Sequence, residues 1–527
     1  MTAMNSDVRD AIVVGSGAGG LTAAAVLAAK GRSVLVLEAA PVLGGYLNPF
    51  EWKGYRFDTG LHYLGELRQG GSFRKLLERI GLWDRITMVE LDPKGFGEYH
   101  LGDLDFVMPA DRDLFRERLL DAVPERRADV DRYFDVLADV ERSVAAASNQ
   151  HDGFLAKLKM ARHLPTLMKH SKATYGEILD EITDDVRLKA LLSLFSGEIG
   201  LPPSKASSFS GFLVVAHYLR GAFYPRGGGG SIRDAAVAVV EEGHGELRKR
   251  FRVERISRAG SLFEVVGTPQ KADGSASGAT ERMVAKTVVF NADPKVLVDL
   301  ADSSLGLERI TDRARSMEPS VGAFYAFVGT DLDLRGLGVT GRNLMCADSV
   351  DVESTWRSLL SEQIPEQVAS FMVSIPSLKD SEGKYAPDGK YALEVLTMAR
   401  IEPWLEWAGK QSRRRGEEYD RLKNELGHKL LEQVDRCVLP GLTEHLDFVE
   451  FATPLSNQYW VNAPAGGCYG PDQIPAQMGM GRFRPVTPAD GFYLAGAGVL
   501  GGGVFPAMRS GEIAGRKASA YLDDRRS

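Results

Sequence analysis

Gly15-Ser-Gly17-Ala-Gly19-Gly20 stands between a short apolar run, Asp10-Ala-Ile-Val-Val14, and a helix-like stretch at 21–30. Each glycine has a separate task there. Gly15 permits the tight turn, Gly17 lets the backbone approach a diphosphate, and Gly20 lets helix and strand pack closely. The diphosphate then rests at the helix start, where unpaired N–H groups and the helix dipole favour an anion. A second strand at 33–37 ends on Glu38. Its carboxylate can accept hydrogen bonds from both ribose hydroxyls and would repel a 2′-phosphate. Strand, glycine turn, helix, strand and acid in this order specify dinucleotide binding far better than the glycines alone.

The other end of the chain carries a matching unit. A strand at 492–495 leads into Gly496-Ala497-Gly498, then Gly501-Gly-Gly503 and a closing helix expected over 505–522. Pro506 falls in its first turn, where a missing N–H costs nothing. A nicotinamide enzyme completes its cofactor site within one Rossmann domain. A second strand–turn–helix at the opposite terminus suits a flavin instead, because a helix N-terminus at the pyrimidine edge stabilises the negative charge of the reduced ring.

Between these ends, apolar residues at three-to-four spacing predict helices over 111–122, 126–148 and 175–195. Phe223-Tyr-Pro-Arg226-Gly-Gly-Gly-Gly230 is the sharpest punctuation; a helix at 231–242 and strands at 251–256, 262–266 and 287–290 follow it, with a polar loop at 270–280. At 527 residues the chain is too long for one simple core. The expected fold class is α/β: a Rossmann-type nucleotide domain assembled from both chain ends, with a discontinuous mixed α+β substrate domain. In residue terms, 1–100, 223–300 and 481–527 make the nucleotide domain, 101–222 a helical substrate or membrane-facing part, and 301–480 the rest of the substrate domain. A net charge of −7 argues against nucleic acid as a partner. Three widely spaced cysteines without a CxxC pair exclude a cysteine zinc site and suit a reducing compartment, and no metal site is expected.

Taken together, these motifs resemble the FAD-dependent carotenoid desaturase, carotenoid isomerase and retinol saturase superfamily, which shares its fold with amine oxidases. The N-terminal fingerprint through Gly44-Gly45 is similar to its FAD signature. Phe223-Tyr-Pro-Arg-Gly-Gly and Asn291-Ala-Asp-Pro are similar to its internal motifs, and Gly496-Ala497-Gly498 to its C-terminal one. Phe57-Asp-Thr-Gly-Leu-His-Tyr-Leu-Gly65 and Pro454-Leu-Ser-Asn-Gln-Tyr-Trp460 most resemble retinol saturases. Many flavoproteins of this fold carry Arg after the paired glycines and an acid in the last motif; here those places hold Tyr46 and Ala497.

The resemblance implies a non-covalent FAD, a hydrophobic tunnel and chemistry on carbon–carbon bonds of unsaturated lipids. It implies that Gly15, Gly17, Ala18, Gly19 and Glu38 hold the ADP half, with Val253 beside the adenine. Gly60, Leu61, Gly496, Ala497 and Val504 would lie against the flavin. Double-bond reduction is favoured over desaturation or cis–trans isomerisation; an amine oxidase and a flavin-loaded lipid carrier are the more distant alternatives. Any of the redox reactions needs a proton donor or base over the double bond. His62 and Tyr63, which follow Gly60, and Tyr224, ahead of the glycine turn, are the candidates. Cys468 has no adjacent base and reads as a packed thiol. One strand–GxGxxG–helix unit is present, so a separate electron donor or acceptor is expected. The basic, acid-free segment 154–172, with Lys157, Lys159, Arg162, Lys169 and Lys172 among Phe, Leu and Met, suits an anionic membrane surface. The expected location is cytoplasmic, peripheral on the inner face of a membrane.

Overall fold

A computed structural model describes residues 8–148 and 154–525, and the side chains of all of these except 148 and 154–161. Ala11–Val14, the inner part of the strand Arg9–Val14, and Val34–Leu37 are apolar without alternation, which is what strands covered on both faces require. They pair in parallel at the centre of a seven-stranded sheet. Glu246–Arg248 lies outside Val34–Leu37, and Glu281–Phe290 lies on the other side of Arg9–Val14. Glu281–Phe290 is long enough to serve two further partners along its other edge. Its first half pairs antiparallel with Leu262–Pro269, and its last residues, Val288 to Phe290, pair in parallel with Phe492–Leu494 from the far end of the chain. The two termini are thus joined through one strand.

Two helices complete the join. Ala18–Ala28 packs against Val504–Asp524. The approach is close enough that a Cβ on Gly511 would lie 2.0 Å from the Gly19 carbonyl oxygen, and one on Gly515 would lie 2.9 Å from that of Ala23.

A second seven-stranded sheet runs Leu446–Ala452, Gly322–Thr330, Tyr391–Ala399, Ser370–Ser374, Asn343–Ala347, Gly97–Leu101, Leu104–Met108. The hairpin 97–108 forms one edge of this second sheet. A division at residue 100 falls inside this hairpin, whose Gly97–Leu101 pairs with Asn343–Ala347 in parallel register.

The helical region contains Arg112–Ala122 and Arg127–Ser148, close to expectation, and Asp111 caps the first by accepting from the Leu114 N–H at 2.9 Å. The single helix expected over 175–195 is instead Tyr175–Ile182 and Val186–Leu192. Thr183 leaves helical geometry, and Asp185 starts a new helix by capping Leu188 at 2.8 Å. Phe154–His170 is helical, and Ser208–Tyr218 packs against Arg127–Ser148 and Tyr175–Ile182. Among the described residues no helix is long and apolar enough to cross a membrane.

Candidate active site

One cavity of about 3650 Å³ runs from the ends of the parallel strands into the helical region. Two helices open onto it. Ala18–Ala28 begins at Gly17 and Val504–Asp524 begins at Gly503, neither with a side-chain hydrogen bond at its cap. Their first N–H groups are left for a ligand, and both dipoles favour negative charge there.

The cradle between them is built from missing side chains. A Cβ on Gly17 would meet Asn291 Nδ2 at 3.1 Å, and one on Gly19 would meet the Gly496 nitrogen at 2.6 Å. Gly15 adopts φ +94° at the turn, a region that only glycine enters without strain. Gly20 is the one fingerprint glycine outside the cavity wall: its Cβ would lie 2.0 Å from the Gly15 carbonyl oxygen, so it serves strand–helix packing. Gly44 and Gly45 fold back over Gly17, Gly44 forming an isolated bridge to it.

Glu38 ends its strand with both oxygens held. Oε2 accepts from the Ser16 N–H at 2.8 Å and its hydroxyl at 2.6 Å, and Oε1 accepts from the Ala40 N–H at 2.8 Å. Ser16 Oγ also accepts from the Gly44 N–H at 3.1 Å, tying acid, fingerprint and double glycine together. Val253, on Phe251–Ala259, lines the same end. Asn291 Nδ2 donates to the Gly15 carbonyl at 3.2 Å, while its buried Oδ1 has no partner and faces the gap between Gly19 and Gly496. On the closing side, the Gly496 N–H donates to Ser510 at 2.9 Å, and the buried Arg482 donates to the Ala497 carbonyl at 2.7 Å. Gly60, Leu61, Gly496, Ala497 and Val504 all line the cavity. Tyr46, where many flavoproteins of the fold carry Arg, lies against Gly60 and donates to the Gly467 carbonyl at 2.8 Å.

The three candidate proton-handling residues separate. His62 and Tyr63 line the cavity; Tyr224 does not. Its buried hydroxyl donates to Asp58 in a layer behind the wall, which removes it from contact with a cavity ligand. That layer holds a cluster of buried charge. His62 Nδ1 lies 3.2 Å from Glu394 Oε2, and Glu394 Oε1 accepts from the Asp58 N–H at 2.6 Å. Lys379 donates to the His62 carbonyl at 2.8 Å and to Ser374 at 2.7 Å. Burial dominates their ionisation. It lowers His62 to about 3, with Lys379 adding to the effect, and raises Glu394 to about 8 against the pull of Lys379. Asp58 rises to about 7 through burial and the neighbouring Glu394, and Lys379 falls to about 7.

On the other wall Tyr63 donates its hydroxyl to Glu198, whose pKa burial raises to about 7. Cys468 lines the cavity too, its thiol pushed up to about 12 by burial. Ser16, Asn291, Glu198 and the Glu394–Lys379 pair were given no role by motif reading. Their signals were faint: Ser16 fills a variable fingerprint position, Asn291 opens a motif without stating why, and Glu198 and Glu394 are single acids in apolar runs.

Two nucleotide-ready helix starts on one cavity are an arrangement that can be compared with known proteins. The family model of flavin containing amine oxidoreductases matches residues 18–517. The chain belongs to that family. It is an FAD-dependent oxidoreductase with the α/β fold expected from its two ends. All-trans-retinol 13,14-reductase of Danio rerio is 26% identical over 510 residues, spanning 93% of this chain and 82% of that protein. The chloroplastic prolycopene isomerase of Arabidopsis thaliana is 26% identical over 532 residues, spanning 97% and 83%. Among solved structures, putrescine oxidase bound to putrescine superposes with a TM-score of 0.64 at 16% identity, covering 98% of this chain and 99% of that one. The residues present fit the cofactor: glycines where a Cβ would fill the cradle, an acid at the strand end, two open helix starts and an orphaned amide oxygen between them.

Proposed function

We propose that this flavoprotein reduces a carbon–carbon double bond of a lipophilic polyene or isoprenoid. The observation that carries the reading is the continuity of the nucleotide cradle with an apolar gallery. Leu167, Phe209, Leu213 and Val214 line it, and Leu164 and Met168, each about half exposed, form its lip. Similarity to retinol reductases supports the choice of substrate class. In this reading Gly15, Gly17, Ala18, Gly19, Gly44 and Gly45 hold the diphosphate, Glu38 the ribose, and Val253 flanks the adenine. Gly60, Leu61, Gly496, Ala497 and Val504 meet the ring, while Gly20 acts by packing alone. Bound FAD supplies hydride transfer. The chain excludes water with its apolar gallery and presents His62 and Tyr63 to the substrate. A separate donor supplies electrons to the flavin.

Protein reduced anaerobically and mixed with all-trans-retinol is expected to reoxidise its flavin stoichiometrically, with a dihydro product by mass spectrometry. Isomerisation without reoxidation would make it an isomerase, the reading that similarity to prolycopene isomerase favours. Reduction of oxidised flavin by the lipid would mean a desaturase, and tight binding without reaction a carrier.

The gallery lip also frames the membrane contact. Leu164 and Met168 lie on Phe154–His170, the helix that carries Arg162 and Lys169 and is followed by Lys172. The side chains of Lys157 and Lys159 lie outside the described residues. In this proposal the helix rests on anionic lipid, and substrate enters from the bilayer. The triple variant Arg162→Glu, Lys169→Glu, Lys172→Glu is expected to lose flotation with phosphatidylglycerol vesicles that the wild type shows. Equal flotation of the two would remove the proposal.

A further inference from the structure

Glu198 is the carboxyl that the cofactor cradle leaves unexplained. It sits on the one-turn helix Ser196–Ile199 and lines the substrate part of the cavity. Among the described residues no cation pairs with it. The titratable groups that face it are tyrosines: Tyr63 from the segment before Leu64–Gly65, Tyr99 from Gly97–Leu101, Tyr218 from Ser208–Tyr218, and Tyr469. Around them Phe96 and Phe195 stack in parallel, and Tyr218 packs on Tyr63 and on both phenylalanines. Glu198 is half-buried at the cavity wall, and drawing a carboxyl into an aromatic box without a counter-charge costs free energy. A fold that keeps one, aimed at a ligand cavity and hydrogen-bonded to a tyrosine that also lines that cavity, has a use for its proton.

We propose that Glu198 is the proton reservoir for the double-bond reaction and that the Tyr63 hydroxyl passes the proton to the substrate. The inference rests on the double-bond reading above. With Glu198 protonated the hydrogen bond reverses, the carboxyl O–H donating to the phenol oxygen and freeing the Tyr63 O–H for the substrate. The substrate then gains a hydride on one carbon, which the reduced flavin would supply, and on the adjacent carbon a proton from the Tyr63 hydroxyl as that hydroxyl takes one from Glu198. The flavin is left oxidised by two electrons and Glu198 is left as a carboxylate, which water reprotonates. Neither tyrosine nor histidine serves as the source unaided. Burial holds the Tyr63 phenol well above its usual range and keeps His62 neutral, its Nδ1 turned to Glu394. Glu198, near 7, gives and regains a proton in the working range.

Glu198 must be protonated, so the rate of flavin reoxidation by all-trans-retinol should be flat below about pH 7 and fall above it. Glu198→Gln is expected to slow this step about 100-fold and to abolish the descending limb. Tyr63→Phe should slow it comparably. Flavin-to-protein ratios should match wild type in both, which separates chemistry from misfolding. Infrared difference spectra across the pH range read the carboxyl independently of turnover. A protonated-carboxyl band that disappears near pH 7, persists in Tyr63→Phe and is missing from Glu198→Gln is the expected result. Wild-type rate and pH profile in Glu198→Gln, or a carboxyl already ionised at pH 5, would overturn the assignment. If the wild type leaves retinol untouched, the double-bond reading falls and the infrared titration alone decides the state of Glu198.

Discussion

Gly511→Leu should purify without bound flavin. Ala18–Ala28 and Val504–Asp524 supply the two open helix starts, and they are positioned relative to each other at Gly19 and Gly511. Even a methyl on Gly511 would lie 2.0 Å from the Gly19 carbonyl oxygen and 3.0 Å from its Cα. Backbone cannot rotate away as a side chain can, so the helices must separate, and overpacking of this kind costs about 1–3 kcal/mol or more. Gly19 would move with its helix, and a Cβ drawn on Gly19 already lies within 2.8 Å of Asn291, Gly496 and Ala507. The displacement therefore falls on the cradle itself. Gly515→Ala meets the Ala23 carbonyl at 2.9 Å and should weaken flavin retention only mildly, giving a graded series with Gly511→Ala between. Visible absorbance per mole of purified protein reads all three. A yellow Gly511→Leu protein at wild-type ratio would mean that the helix pair does not set the site.

That contact also shows what could be read from the chain before its structure. The fingerprint is legible because one conformation and one ligand impose glycine at fixed spacing on a short segment, and the strands beside it are continuous apolar runs. That the two chain ends share one site was legible only as an inference from chemistry, since a flavin needs a second helix start and 496–504 offers one. The pairing of Phe492–Leu494 with Val288 to Phe290 was not legible at all. Nothing local in Gly511 or Gly515 says which helix they meet. The same holds for His62. Its sequence neighbours place it near a ligand, but Glu394 and Lys379, which hold its imidazole ring and its backbone carbonyl, come from Tyr391–Ala399 and from the four-residue helix Pro376–Lys379. The single helix expected over 175–195 failed for a different reason. Apolar periodicity continued through Thr183-Asp184-Asp185, and local capping by Asp185 overrode it.

Lys379→Met is expected to stabilise the protein by about 1–4 kcal/mol at pH 5 and by progressively less as pH rises through 8, because it removes an ammonium that burial disfavours. In the native fold Asp58 and Glu394 hold their protons to about 7 and 8, whereas the unfolded chain releases them near the ordinary carboxyl range. Raised carboxyls bind more protons folded than unfolded, so they lower stability as pH climbs from about 4 to about 8. Lys379 has the opposite sense. Its folded pKa is depressed to about 7, so the unfolded chain holds the extra proton between there and its ordinary range, and stability recovers over that span. At pH 5 both carboxyls are neutral in the fold and the ammonium is the one buried charge, so replacing it with an apolar side chain of similar length removes a cost. At pH 8 Lys379 is largely neutral in the fold and Glu394 about half charged, so there is less buried ammonium for the substitution to remove. Without its pull Glu394 and Asp58 keep their protons to higher pH, which lowers stability. Urea midpoints followed by tryptophan fluorescence at the two pH values read the difference. In Lys379→Met the alkaline recovery of stability should vanish, because no other member of the cluster has a proton to lose there. A variant that lost equal stability at pH 5 and pH 8 would show that Lys379 contributes through packing of its stem against Tyr224, whose ring its Nζ approaches to 5.3 Å, and not through its charge.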